Sequence, residues 1–343
     1  LVGAGGAYAV TGKTFLPTMD EGSTIVQLTK LPSISLAHSV DGDMKVQRAI
    51  LEKVPEVSDV IARSVNVPLA AKLGQAVLIE NLGGGSGSIG AQKVLSAPAD
   101  GSYIFQGSPN EIVLAPLANK AVKYTSDDFQ MVQFIADSPL AIIVRKELEA
   151  NTADELVALA RRAARDGKPL TYASVGYGSF YHLLGEELSR IANVPMLHVP
   201  YKGGADVSKD LIGGVVDIFI TPYGKPHVAL AQQGRFKFIA ALSPARQPGI
   251  PDVPSVDEGV SLKGFHQSIW TGYFVKRGTP APIVQALHKA VTGTLGDEKV
   301  RATLAAQGLD LPRPMSLAEA EKTYDEGAKK FQAIAKAAGL KAQ

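Results

Sequence analysis

"YASVGYGSFYHLLGEEL", Tyr172 to Leu188, and then "HVPYKGGADVSKDLIGGVVDIFI", His198 to Ile220, decide how this chain reads. In each, a short β-branched or aromatic run ends in a glycine-bearing turn, and an amphipathic helix comes next. The same rhythm extends over 152–241. Thr152 and Glu155 form a capping box that opens a helix through Arg165, with Leu156, Leu159, Ala160 and Ala163 on one face. Then come strand 170–173, helix 180–191, strand 196–199, helix 205–212, strand 215–220, helix 226–233 and strand 236–241. Gly213-Gly214 and Gly234 act as stops, and Pro226 sits in a first turn. Segment 76–107 repeats strand, helix, strand, and helices are expected at 281–294, 297–307 and 316–338. This order predicts an α/β fold of two units, one inserted in the other, with mostly parallel sheets and ligands at the carboxyl ends of strands.

Three strand-to-helix turns carry the candidate site. At Tyr177, Gly178 and Ser179 the glycines let the backbone approach a guest, and Ser179 is placed to cap the next helix. Tyr201, Lys202, Gly203 and Gly204 form the second turn, and Thr221 ends the third strand. Together they would ring one cleft. The glycine run Gly83 to Gly87 holds the spacing G-x-G-x-x-G at Gly85, Gly87 and Gly90. It lacks the carboxylate about 20 residues further on that a dinucleotide ribose needs, so it reads as a wide turn requiring positive φ.

Composition narrows the function. The chain has 343 residues, 35 basic and 33 acidic, for a net charge of +2, which gives no electrostatic case for nucleic acid. Cysteine is absent, which removes thiolate chemistry, disulfides and cysteine metal sites and suits an exported protein. There is no G-x-S-x-G elbow and no H-E-x-x-H, and His38, His182, His198, His227, His266 and His288 never fall at metal-ligand spacing. No catalytic residue, metal or cofactor is expected.

These segments, with "GQAVLIENLGGGSGSIGA", "APADGSYIF", "IPDVPSVDEGV" and "KRGTPAPIVQALHKAV", resemble the Bug-type periplasmic solute-binding proteins of tripartite tricarboxylate transporters from about Ser58 to the C-terminus. The resemblance implies a type II periplasmic binding fold whose two lobes close on a small carboxylate, with 58–138 and 245–343 as lobe 1 and 139–244 as lobe 2. It implies a periplasmic, monomeric receptor with membrane transporter subunits as partners. Ligand contacts would fall on the Tyr177–Ser179 and Tyr201–Gly204 turns, on Ser108 and Asn110, and on Ser58 and Asp59. Thr221 departs from an aspartate frequent in the family, which disfavours ligands bearing an amine; di- or tricarboxylates or aromatic carboxylates are expected. A ligand-sensing domain, a non-functional fusion product and an enzyme on the same scaffold are the alternatives.

Residues 1–57 do not fit that family. The stretch "TGKTFLPTMDEGSTIVQLTKL", Thr11 to Leu31, and the residues from there to 57 resemble the porter domain of heavy-metal efflux pumps of the resistance-nodulation-division class, just after a membrane helix. The chain is therefore expected to be a fusion, with "STIVQLTKL", Ser23 to Leu31, as the strand that fills the place of the receptor's first strand.

Overall fold

The computed structural model describes residues 23–29, 57–82, 84–306, 309 and 311–343. Strand β1 (Ser23–Thr29) precedes helix α1 (Val57–Leu73), β2 (Ala76–Leu82), α2 (Ser88–Ser96), β3 (Tyr103–Gly107) and a single turn, α3 (Ala115–Ala118). The long strand β4 (Phe129–Arg145) leads into α4 (Ala153–Arg165), β5 (Thr171–Ser174), α5 (Phe180–Ala192), β6 (Leu197–Pro200) and α6 (Gly204–Ile212). Then come β7 (Ile218–Pro222), α7 (Lys225–Gln232), β8 (Phe236–Ala241), β9 (Ser268–Lys276), α8 (Ala281–Leu295), α9 (Glu298–Ala305) and α10 (Leu317–Ala337).

The strands run in the order β2-β1-β3-β9-β4-β7-β5-β6, with β8 also on β4. Strand β4 serves two sheets. Its first part pairs with β9 from Phe129↔Lys276 to Pro139↔Ser268, and from Leu140 onward it pairs with β7 and β8. Pro139 stands where the strand changes partners, a place where the missing N–H costs least. The chain returns through the second sheet: Leu242 N–H donates to Leu140 O and Gln267 N–H to Leu242 O, just before β9 begins.

The sheets are mixed rather than mostly parallel. Helical crossovers keep β5 parallel to β6 and β7, but β4 and β9 are antiparallel to each other and to their other neighbours. Strand β1 lies between β2 and β3 and runs antiparallel to both, from Ser23↔Leu82 to Thr29↔Ala76 and from Thr24↔Gln106 to Gln27↔Tyr103. Its placement in the sheet was expected; its direction was not.

Two apolar cores hold these layers. Val65 and Leu69 of α1 and Val284, Leu287 and Val291 of α8 pack on Val77, Ile104, Val132, Ile135 and Tyr273. The larger core joins the rest, and α10 belongs to it: Ala320, Tyr324, Ala328, Phe331 and Ala335 form one buried stripe at helical spacing. The stripe's Phe331 meets Phe180 of α5 edge to face, with ring centroids 4.8 Å apart. Caps set the helix starts. Thr152 Oγ1 accepts from Glu155 N–H, while the Glu155 carboxylate reaches Asn151 N–H, one residue before the partner a capping box supplies.

Candidate functional site

A cavity of about 330 Å³ lies where turns from both sheets converge. Gly85 and Ser86 come from the turn between β2 and α2, and Ala115, Ala118 and Asn119 from α3 and its end. Val175, Gly176 and Tyr177 come after β5, Tyr201 and Lys202 after β6, and Gln343 completes the wall. The first turn is the glycine run: Gly84, Gly85 and Gly87 have φ of 98°, 60° and 80°, and Ser86 holds the left-handed region at 53° without being glycine. The reading of that run as a positive-φ turn is met, and Gly83 lies outside the described residues. Among the described residues the lining carries one cationic side chain, Lys202, and no acidic one.

At the turn before α5 the backbone donors are already engaged. Gly178 N–H donates to His182 Nδ1 at 3.1 Å, and His182 N–H to Ser179 Oγ at 3.3 Å. Ser179 N–H donates to Gly176 O, and Phe180 N–H to Asn110 Oδ1 at 2.8 Å. Ser179 is fully buried, and its hydroxyl donates to Gly176 O at 2.7 Å. This turn therefore positions the cavity wall, and Tyr177 is its lining side chain.

The turn before α6 differs. Gly203 is its N-cap, and no side chain caps the helix. Lys202 is exposed and has no hydrogen-bond or ion-pair partner among the described residues. Tyr201 N–H donates to Ser174 O, and its hydroxyl donates to Asp210 Oδ2 at 3.0 Å. Burial and then Asp210 push that phenol up to about 12, so it stays neutral.

Behind the α5 turn is an aromatic stack that the sequence did not reveal. The His182 and His198 rings lie 4.1 Å apart, Tyr177 covers His182 at 4.9 Å, and Tyr172 covers His198 at 5.1 Å. The Tyr172 hydroxyl bonds to the Glu186 carboxylate. Burial lowers the pKa of His182 against the opposing pull of Glu186. Burial, then the neighbouring His182, lowers His198 to about 4.

Of the other expected residues, Asn110 faces the α5 turn. Ser108 is tied into its own turn, its N–H and Oγ both donating to Glu111 Oε2 at 2.7 Å. Thr221 is buried at the end of β7 with no partner for Oγ1, and it is not among the lining residues. Ser58 and Asp59 fall in the first turn of α1, and their side chains lie outside the described ones. Gly203 and Gly204 lie beside Lys202 and are buried. The lining residues Ser86, Ala115, Ala118 and Asn119 were missed, since each is an ordinary loop or helix residue until the fold brings it to the cleft.

An α/β fold of mixed sheets, with an open cavity walled by turns from both, is that of a binding protein of the periplasmic type. The chain belongs to the family described as "Tripartite tricarboxylate transporter family receptor", which it matches over residues 61–340. A curated relative from Agrobacterium vitis, the UPF0065 protein in the TAR-I ttuE-ttuC' intergenic region, is 34% identical over 73% of this chain and 71% of its own length. The solved periplasmic binding protein BugD is 28% identical with a TM-score of 0.75, covering 84% of this chain and 96% of that one. MatC of Rhodopseudomonas palustris, solved with malate, is 28% identical with a TM-score of 0.73, covering 81% and 94%. Rpa4515 of R. palustris, solved with adipate, is 28% identical with a TM-score of 0.75, covering 83% and 94%.

A shorter likeness, 35% identical over 65 residues, is to the nickel-cobalt-cadmium resistance protein NccA of Alcaligenes xylosoxydans xylosoxydans, and it covers 6% of that protein. So short a match carries none of that protein's activity. The porter-domain reading of residues 1–57 falls, apart from Ser23–Thr29 and Val57, outside the described residues. No helix among the described residues is long and apolar enough to cross a membrane.

Proposed function

We propose that this chain is a periplasmic receptor that captures a small carboxylate between two lobes and delivers it to the membrane subunits of a tripartite tricarboxylate transporter. The observation that carries this reading is the cavity's makeup. Among the described residues it has no acidic side chain, one lysine without a partner, and beside that lysine the uncapped α6 N-terminus, whose N–H groups and dipole favour an anion. Malate and adipate in the solved relatives agree with it. The carboxylate faces Lys202, Gly203 and Gly204, and Tyr177 and Tyr201 flank its body. With threonine at 221 and no acidic side chain in the described lining, a ligand amine finds no side-chain counter-charge, so aspartate and glutamate bind less well than succinate, malate, adipate or benzoate. The chain works as a monomer.

The proposed division of the lobes at 138/139 lies beside the point, between Pro139 and Leu140, where β4 changes sheets. Hydrogen bonds from Val260 and Ser261 N–H to Asp154 of α4, and from Ala241 N–H to Pro254 O, bind 245–267 to the second lobe. These bonds favour a return crossing near 268, where the sequence reading put it at 245.

Thermal unfolding with and without citrate, succinate, malate, adipate, glutamate and benzoate tests the receptor reading. A ligand at 100 times its Kd adds about 2.7 kcal/mol, which raises Tm by roughly 4 °C for a chain of this size. A cooperative transition moved by none of the carboxylates would refute it, and consumption of one would favour an enzyme.

A further inference from the structure

The loop 176–179 of the second lobe is pressed against the first lobe at three points. A Cβ at Gly176 would stand 2.7 Å from Ser86 Oγ, and one at Gly178 would fall well under 3.0 Å from Ala118 Cβ. At the third point Phe180 N–H donates to Asn110 Oδ1 at 2.8 Å, a bond between residues 70 apart in sequence. Asn110 is 5% exposed and rigidly presented. Its own N–H donates to Ser108 Oγ, Ile112 N–H donates to Ser108 O, and the Glu111 carboxylate holds Ser108 in place. Asn110 also begins a π-helical turn, Asn110–Leu114, a local irregularity in the backbone.

We propose that Asn110 is a positioning residue that latches the lobes together, its carbonyl oxygen completing the N-terminal cap of α5 from the opposite lobe. Ser179 Oγ takes the N–H of His182 and donates to Gly176 O, Asn110 Oδ1 takes the N–H of Phe180, and as an amide oxygen it has no proton to offer a ligand carboxylate. Opening the lobes would leave Phe180 N–H without its acceptor, so closure is favoured by a buried bond that forms only in the closed state. The inference rests on the two-lobed receptor reading for its meaning, but the bond itself can be tested without a ligand.

The chain has no cysteine, so Gln92→Cys on α2 and Ala158→Cys on α4, both exposed, accept spin labels uniquely, one on each lobe. Distances between them are measured by electron double resonance in three backgrounds: wild type, Asn110→Ala and Asn110→Asp. Aspartate keeps an acceptor at the same place and adds a negative charge at the α5 N-terminus, which the helix favours. The expected result is a short-distance population in the wild type and in N110D, shifted to longer distances in N110A. Adipate and malate are then titrated into wild type and N110A, with binding weakened roughly tenfold in N110A through faster release. A distribution in N110A equal to the wild type, an N110D as open as N110A, or a wild type with no short population would overturn the latch. Failure of every carboxylate to bind the wild type would refute the receptor reading alone, since the distance measurement stands without it.

Discussion

Replacing Gly178 by alanine separates the cost of a backbone conformation from the cost of holding the lobes apart. Gly178 has φ of 77°, a region where an L-residue costs about 1–2 kcal/mol. Its added Cβ would also fall under 3.0 Å from Ala118 Cβ on the facing lobe. Carbon atoms in contact sit about 3.5–4.0 Å apart, and the approach is so far inside that range that one lobe must retreat by more than about 1 Å. That retreat takes Phe180 N–H beyond hydrogen-bond reach of Asn110, from 2.8 Å. Gly167 provides the control: its φ is 72°, and nothing lies within 4 Å of its added Cβ. Both Gly178→Ala and Gly167→Ala are expected to lower unfolding free energy by about 1–2 kcal/mol in urea. Only Gly178→Ala is expected to lose affinity, by about tenfold or more in calorimetric titration with whichever carboxylate stabilises the wild type. Unchanged affinity in Gly178→Ala would refute the reasoning, as would an equal loss in Gly167→Ala.

Lys202→Gln is expected to weaken carboxylate binding about fivefold, the scale of an exposed ion pair, and to flatten its salt dependence; titrations at low and high salt check both. Acid sensitivity arises from the imidazoles. His198 and His227 are lowered to about 4 and His182 is lowered too, all chiefly by burial. As pH falls below the ordinary imidazole value of about 6.5, the unfolded chain takes up protons first, so stability is complete above that pH and drains away toward pH 4. Urea midpoints from pH 7 to 4 should fall accordingly, and less steeply in His198→Gln. Amide exchange tests β1: residues 24–28 should be protected along with 77–80, because β1 is bonded on both sides. Free exchange of 24–28 beside a protected β2 would remove β1 from the sheet.

What the sequence made legible was local. Ser179, Thr152 and Pro226 announce helix starts through caps and first-turn geometry that involve only a few neighbouring residues, and all three stand where expected. Strands β4 and β9 were not foreseen. Apart from their end residues β4 is buried almost throughout, and β9 nearly so, so neither shows the alternation that marks a strand with one wet face. The direction of β1 was equally hidden, since a strand's apolar pattern reads the same both ways. For the site, Tyr177, Tyr201 and Lys202 were visible because glycine turns flagged them. Ser86 and Ala118 were not, because their partners, Gly176 and Gly178, are 90 and 60 residues away, and no local pattern encodes such contacts.

The buried pair Ser174 and His198 argues for binding over turnover more strongly than the missing motifs do. Ser174 Oγ lies 2.6 Å from His198 Nε2, a separation a nucleophile and its base could share. Yet Ser174 is fully buried, is not a lining residue, and donates its proton to Gly176 O at 3.0 Å while accepting from Gly176 N–H at 3.1 Å. Off the cavity lining, the pair meets no substrate there, whichever of the two donates to the other. The pair instead fixes the Gly176 backbone, and through it the approach to Ser86 on the cavity wall. Polar groups that in a hydrolase would be aimed at a substrate are here turned inward to hold a loop. Among the described residues the cavity lining holds no imidazole and no acidic side chain to act as a base, and its one cationic side chain, Lys202, can neutralise an anion.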